Sequence, residues 1–445
     1  MFTVYSRPQR LHRLVRQCFW VPTLSLILVS LSTQAQQTLS LDEALRLAQS
    51  RSLQLVAQDA AAGAARELAV SAGQMPDPTL RLGINNLPVN GPDRLSLTRD
   101  FMTMRSVGVS QEFTGRDKLK ARSARFEREV ELAQAGRAAA LANLRRDTAI
   151  AWLDRAYQER ALTVLQTLRA ETALQIDAAD ASYRGGRGSQ SDVFAARSSV
   201  AQIDDRIRLT EIQIATARIK LARWVGDDAN QPLAAMPDTS TLNLNAGSLG
   251  YLVEHQPALA LMAGQENVAR AEADIAQSDK HSDWSVELMA SQRGPAYSNM
   301  VSINLSIPIQ LDQKNRQDRE VSAKLAAVEQ MRAQREEAIR ERVAEARMWL
   351  AQWQGNRDRL ERYDSAQIPF ATERTRAALA AYRGGGSALS AVLEARRMEI
   401  DTRLDRLRLE METASLWAQL AYLIPAENPA TIDRPARSLK SPATE

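Results

Sequence analysis

Nucleophiles and metal ligands are scarce in this 445-residue chain. Its single cysteine, Cys18, lies near the N-terminus, and its three histidines, His12, His255 and His281, are far apart. There is no glycine loop closed by Gly-Lys and no Gly-x-Ser-x-Gly elbow, so neither a phosphate cradle nor an activated serine is indicated. Carboxylates are plentiful, but they fall in Ala/Arg/Glu-rich runs where they serve as solvated helix surface. With no Cys/His cluster, no transition-metal site of protein origin and no cofactor is implied. Met102 and Met104 offer thioethers to a soft cation, although scattered methionines also serve as packing. These residue types point away from an enzyme and toward a passage or a docking surface.

One stretch is written twice without a gap. Tyr183-Arg184-Gly185-Gly186-Arg187-Gly188-Ser189-Gln190-Ser191-Asp192-Val193 returns as Tyr382-Arg383-Gly384-Gly385-Gly386-Ser387-Ala388-Leu389-Ser390-Ala391-Val392. Alanine and arginine follow in register at Ala196-Arg197 and Ala395-Arg396, and Leu221-Ala222 still meets Leu420-Ala421. A self-match at so long a period means a duplicated unit. Each copy stands between two long Ala/Arg/Glu-rich runs with at most one glycine apiece, so each reads as the tip of a long helical hairpin.

The elements that hold these tips follow from periodicity. A capping box, Ser40 with Glu43, predicts a helix from there to about Gly73. Leu80, Leu82 and Ile84 then alternate with Arg81, Gly83 and Asn85, and Val107, Val109 and Phe113 alternate with small or polar residues. Period two predicts strands. A helix from Arg116 to Ser182 comes next, about 100 Å long at 1.5 Å per residue. Its return arm carries Val200, Ile203, Ile207, Thr210, Ile214, Ala217, Leu221 and Trp224, a coiled-coil seam. The second half repeats this plan. Its long helix runs from Gln317 to Ala381, and its return seam is Ile400, Leu404, Leu407, Met411 and Ala414.

The expected divisions are a signal peptide at 1–35, a first repeat at 36–226, an irregular connector at 227–248, a second repeat at 249–425 and a disordered tail at 426–445. Strands are expected at about 79–89, 104–113, 283–292 and 300–310, with tips near 183–192 and 382–391. The leader reading rests on basic residues to Arg16, an apolar run from Phe19 to Leu31, too short to span a bilayer, and small residues before the cut. Cys18 and four arginines leave with it, and the formal charge of +4 falls to neutrality. The basic pI therefore carries no argument for nucleic acid.

Four strands cannot close a barrel around a channel. In an exported chain, strands apolar on one face and small or polar on the other suggest a lipid/lumen alternation. Three copies would pool twelve strands. The fold class expected is mainly α with transmembrane β: duplicated helix-strand-strand-helix units forming a trimeric α-helical barrel plus a shared 12-stranded β-barrel.

A leader, two such units and twin Tyr-Arg-Gly-Gly tips resemble the TolC family of outer-membrane efflux ducts over nearly the whole mature chain. Gln256-Pro257-Ala258-Leu259 is similar to that family's Asn-Pro-x-Leu element, with glutamine for asparagine; Ser50-Arg51-Ser52-Leu53 of the first repeat lacks the proline. The resemblance implies a homotrimer in the outer membrane whose helical tunnel, in the periplasm, meets a periplasmic adaptor protein and an inner-membrane proton-driven pump. It also implies that Gly185, Gly186, Gly188, Ser191, Val193, Gly384, Gly385, Ser390 and Val392 form adaptor-docking tips. Asp192 and Glu394 would then be acidic rings at the gate, Arg197, Arg383 and Arg396 their possible partners, and Tyr183 and Tyr382 either constriction or packing residues. Asn86-Leu87-Pro88 through Met104 resembles the heavy-metal cation branch of cobalt–zinc–cadmium or copper–silver systems. The competing readings are a duct for drugs or other small molecules and, with less support, a periplasmic coiled-coil adaptor.

Overall fold

The computed structural model describes residues 38–423 apart from 243, 245, 246 and 248. The expected leader and the tail over 426–445 lie outside the described residues. Ser40 starts α1 (Leu41–Arg51), its hydroxyl accepting from Glu43 N at 3.1 Å. The single helix expected as far as Gly73 is two helices. Ser52 turns extended and its hydroxyl accepts from Leu55 N, opening α2 (Leu53–Ala72). A serine that bonds the amide three residues on competes with helix continuation.

Strands β1 (Thr79–Asn85) and β2 (Met104–Phe113) form the first hairpin. β1 stops short of residue 89 because Asn86 takes a positive φ of 56° and Pro88 follows. Then come α3 (Arg116–Arg184) with 69 residues and its return α4 (Gln190–Val225). After the connector stand α5 (Leu249–Glu254) and α6 (Pro257–Ser278), where Pro257 supplies the preset φ of a first helical residue. β3 (Trp284–Gln292) and β4 (Met300–Ser306) make the second hairpin. β4 ends before residue 310 because Pro308 has no N–H for a ladder. The long helix expected over Gln317–Ala381 is interrupted. α7 (Gln317–Arg362) passes through a π turn at Tyr363–Gln367 into α8 (Ile368–Arg383). Pro369 has no N–H for the Ser365 carbonyl, so the helix widens there. α9 (Leu389–Ala421) returns.

All four strands form one antiparallel sheet in chain order. Its register places Leu80, Val109, Leu288 and Ile303 on one row and Leu82, Val107, Ala290 and Val301 on the next. Opposed residues share a face, so every leucine, isoleucine, valine, phenylalanine and tryptophan of the strands lies on one side. That side is the more exposed one: Leu82 is 74% and Ile303 73% exposed. At its helix-proximal end Phe113 stacks on Trp284 with ring centroids 4.3 Å apart. The opposite face carries Arg81, Gly83, Ser106, Gly108, Ser110, Glu287, Ser291, Ser302 and Asn304, together with Met104, Met289 and Met300. Among the described residues, β1 and β4 each lack a partner on their outer edge.

The helices are tied at a waist. Trp152 is fully buried among Leu39, Leu41, Leu221, Val225 and Ala418, and its indole donates to Leu39 O at 3.1 Å. The connector is strapped down by Trp353 Nε1, donating to Thr239 O, and Trp417 Nε1, donating to Thr241 O. Arg155, 2% exposed, donates to Ala229 O at 2.6 Å, Gln231 O at 2.8 Å and Glu159 at 2.8 Å. A guanidinium, with five N–H donors in a fixed fork, satisfies two buried carbonyls and a carboxylate together. Arg155→Ala should lower stability by about 2–4 kcal/mol, since it orphans buried acceptors and leaves a cavity. Thermal unfolding followed by circular dichroism reads this as a lower midpoint. An unchanged midpoint would show that the connector does not depend on this residue.

Candidate functional site: the paired hairpin tips

Both tips are built by the same backbone device. Gly185 N bonds Ala181 O, Gly186 N bonds Tyr183 O and Arg187 N bonds Ser182 O; in the second repeat Gly384, Gly385 and Gly386 make the matching three bonds. Gly186 and Gly385 carry φ of +66° and +74°, the left-handed turn that ends a helix at low cost only with glycine. Gly185 and Gly384 have ordinary negative φ. A Cβ on Gly188 would stand 2.9 Å from Ser182 Oγ, so glycine is required there by close approach. The second repeat exchanges the volumes, with Ser387 in place of that glycine and Ala381 in place of that serine.

Beyond the glycines the two tips differ. Ser189 and Asp192 form a capping box: Asp192 Oδ2 accepts from Ser189 N at 2.9 Å and Ser189 Oγ at 2.8 Å, and Asp192 N donates back to Ser189 Oγ. Hydrogen bonds from the Ser189 backbone and hydroxyl hold the Asp192 carboxyl below its usual value of 3.8. Ala388 caps α9 without any side-chain bond. Asp192 and Glu394 do not correspond in register: Ala391 matches the first and Ala195 the second. Glu394 is exposed, in a groove between α4 and α9 with Ser198, Gln202, Ser390 and Arg397.

The structure brings Val193 and Val392 together with Ala179, Ala196, Leu389 and Leu393 in one buried cluster, against which Tyr382 packs. Tyr183 is 46% exposed. Ser191, Ser390 and Arg383 are exposed. The arginines expected beside the acidic residues pair elsewhere or not at all. Arg396 bonds Glu171 at 2.5 Å and Glu399 at 3.2 Å, because its helical neighbour three residues on is Glu399, while Glu394 lies on another side of α9. Among the described residues, Arg197 and Arg383 make no ion pair within the protomer.

A buried polar network next to the tips is absent from the sequence reading. Glu399, 2% exposed, accepts from Arg403 Nη2 at 2.9 Å and from Thr372 Oγ1 at 3.1 Å. Burial pushes its carboxyl up, but hydrogen bonds from Arg403 and the neighbouring Arg396 charge outweigh that and hold it below the usual range. Arg396, Glu399 and Arg403 stand at spacings of three and four, which signals a helical charge ladder. Their burial is tertiary information. Farther along, Arg406 bonds both oxygens of Asp364, on the π turn, at 3.0 and 2.9 Å.

This duplicated helix-strand-strand-helix fold is shared with solved outer-membrane channels. Residues 250–424 match the family described as Outer membrane efflux protein. Among solved structures the chain is similar to CusC, at 16% identity and a TM-score of 0.74, covering 86% of this chain and 91% of that one. It is similar to VceC of Vibrio cholerae at 17% and 0.70, covering 86% and 95%, and to the CmeC channel of Campylobacter jejuni at 11% and 0.73, covering 86% and 85%. No curated protein matches the sequence.

Two outcomes follow at the tips. Gly186→Ala and Gly385→Ala should each cost about 1–2 kcal/mol through left-handed strain, while Gly384→Ala, at ordinary φ, should be close to neutral. Hydrogen exchange of the tip amides would read the difference; equal protection in all three would remove the turn argument. Because the Asp192 carboxyl is depressed, its contribution is complete above 3.8 and is lost as pH falls through its lower folded value. Acid should therefore speed exchange at the α4 start before the uncapped α9 start responds. The same acid response at both would contradict the capping role.

Proposed function

We propose that this protein is the outer-membrane exit channel of a tripartite efflux system, a homotrimer passively conducting substrates handed on by a periplasmic adaptor and an inner-membrane proton-driven pump. The observation that carries the reading is the sheet. Its apolar face is the exposed one, its other face is small and polar, and both edges are unpaired. Pairing β1 of one copy with β4 of the next closes twelve strands with lipid outside and water inside. On this reading the helices descend into the periplasm as a tunnel. The Gly185–Gly188 and Gly384–Gly386 turns, with Ser191 and Ser390 and the buried Val193 and Val392 behind them, are the surface offered to the adaptor. Asp192 and Glu394 become threefold carboxylate rings at the constriction, and Tyr183, Tyr382 and Arg383 stand beside them. Carboxylate rings favour cations, which supports heavy-metal cations as cargo.

The protein should require detergent for extraction, cross-link as a trimer and form steady cation-preferring pores in planar bilayers. Asp192→Ala combined with Glu394→Ala should cut cation preference about twofold or more while leaving pores intact. Pores of unchanged selectivity would discard the rings and keep the channel. A monomer extracted without detergent and forming no pores would sink the channel.

A further inference from the structure

The residues of the small, polar sheet face exclude every branched aliphatic and aromatic side chain, yet three of them are methionines. Met104, Met289 and Met300 are the apolar side chains of that face, and the opposite apolar face contains no methionine in any of its strands. Were these residues serving only as bulk, leucine, isoleucine or valine would be expected among them, as on the other side. Sulfur is what sets these three apolar side chains apart from those of the other face. A thioether is a soft ligand that favours monovalent soft cations and carries no charge to trap them.

Register gives the spacing. Met289 lies on the row of Gly108, Met300 on the next row with Ser106 and Ser291, and Met104 on the row after that, beside Asn85. Consecutive rows are about 7 Å apart, two residues along a strand. One thioether thus stands on each of three successive rows, rising toward the end of the sheet away from the helices. Met300 is 44% exposed. Met289 is paired with Gly108, where an added Cβ would meet Leu288 O at 3.1 Å and Met289 Cβ at 3.3 Å, so glycine keeps the two strands close beside the methionine. Glu287, the next residue down on the same side of β3, supplies negative charge; Arg81 lies 3.4 Å from its Oε1 and offsets part of it.

We infer that Met104, Met289 and Met300 form a ladder of weak thioether sites for a soft monovalent cation along the inner wall of the barrel. This rests on the channel reading, which makes that face the wall and repeats each rung threefold. Several weak sites in file suit conduction, since an ion must bind well enough to enter and poorly enough to leave.

Silver ion in chloride-free nitrate buffer is the probe. Channels carrying potassium nitrate should be blocked by Ag+, and Met104→Leu/Met289→Leu/Met300→Leu, close in volume, should raise the half-blocking concentration about tenfold or more without changing the current in its absence. Equal block in the variant overturns the inference. If the protein forms no pores, calorimetric titration of the detergent-solubilised chain with Ag+ decides separately. Binding that the variant loses retains the ladder while the channel reading falls; binding unchanged in the variant removes the ladder. A measurement without any variant guards against misfolding: Ag+ should slow peroxide oxidation of Met289 and Met300 to sulfoxides, read by mass spectrometry. Oxidation at the same rate with and without Ag+ also overturns it.

Discussion

An edge strand leaves alternate N–H and C=O groups without partners, and in hydrocarbon each such group costs several kcal/mol. This constraint governs the molecule, because β1 and β4 are both edge strands and their apolar face is the exposed one. In water the face would be buried on a core, yet the helices never cover it. In lipid the face is content but the edges are not. On the proposed reading another copy of the same sheet resolves both demands, since it offers a matching edge and extends the same two-sided wall. On the proposed reading, the stacked Phe113 and Trp284, at the foot of the apolar band, would stand where aromatic rings sit at a membrane boundary.

The helices answer a different problem: how to hold a tip far from its nearest large core. α3 is not amphipathic over its length, because it packs on α2 and α6 along its first part and on α4 and α9 along its second. Rigid placement comes from buried clusters spaced along the bundle, around Trp152 at the waist, around Leu165 and Ile203 midway, and around Val193 and Val392 at the tips. Between these, long arginines bridge carboxylates on neighbouring helices. Arg169 on Asp204, Arg206 on Asp401 and Arg396 on Glu171 each join two elements. The exposed ones contribute little apiece, so the apolar clusters set the geometry.

Much of this was legible in the sequence because it is written in local periodicity. Alternation marked all four strands, and glycine pairs marked both turns. Steps of three and four marked the α4 seam, although Val225 takes the buried place at its end and Trp224 is half-buried. What escaped depends on competition between local signals or on tertiary context. Ser52 stops a helix that its neighbours favour, and Pro369 converts a helical run into a π turn while the backbone continues. At the site, the glycine turns were readable; the Ser189–Asp192 box was not read as a cap, since the family resemblance makes Asp192 a gate residue. The pairing of Arg396 with Glu171, 225 residues apart, was not readable either. Nor was the burial of Glu399, because a charge ladder on a solvated surface has the same spacing.

The two tips share one apolar cluster although they belong to different halves of the chain. Their arms must therefore keep equal length. Adding one residue to α3 alone would shift its tip by about 1.5 Å and rotate it by about 100°, moving Ala179 out of the cluster and its turn out of level with the other. Insertions in these arms are tolerable only in concert across α3, α4, α8 and α9, and in steps near seven that restore the seam. The molecule is in this sense a gauge: its reach was set before or at the duplication, and later change can recolour its surface far more easily than it can lengthen it.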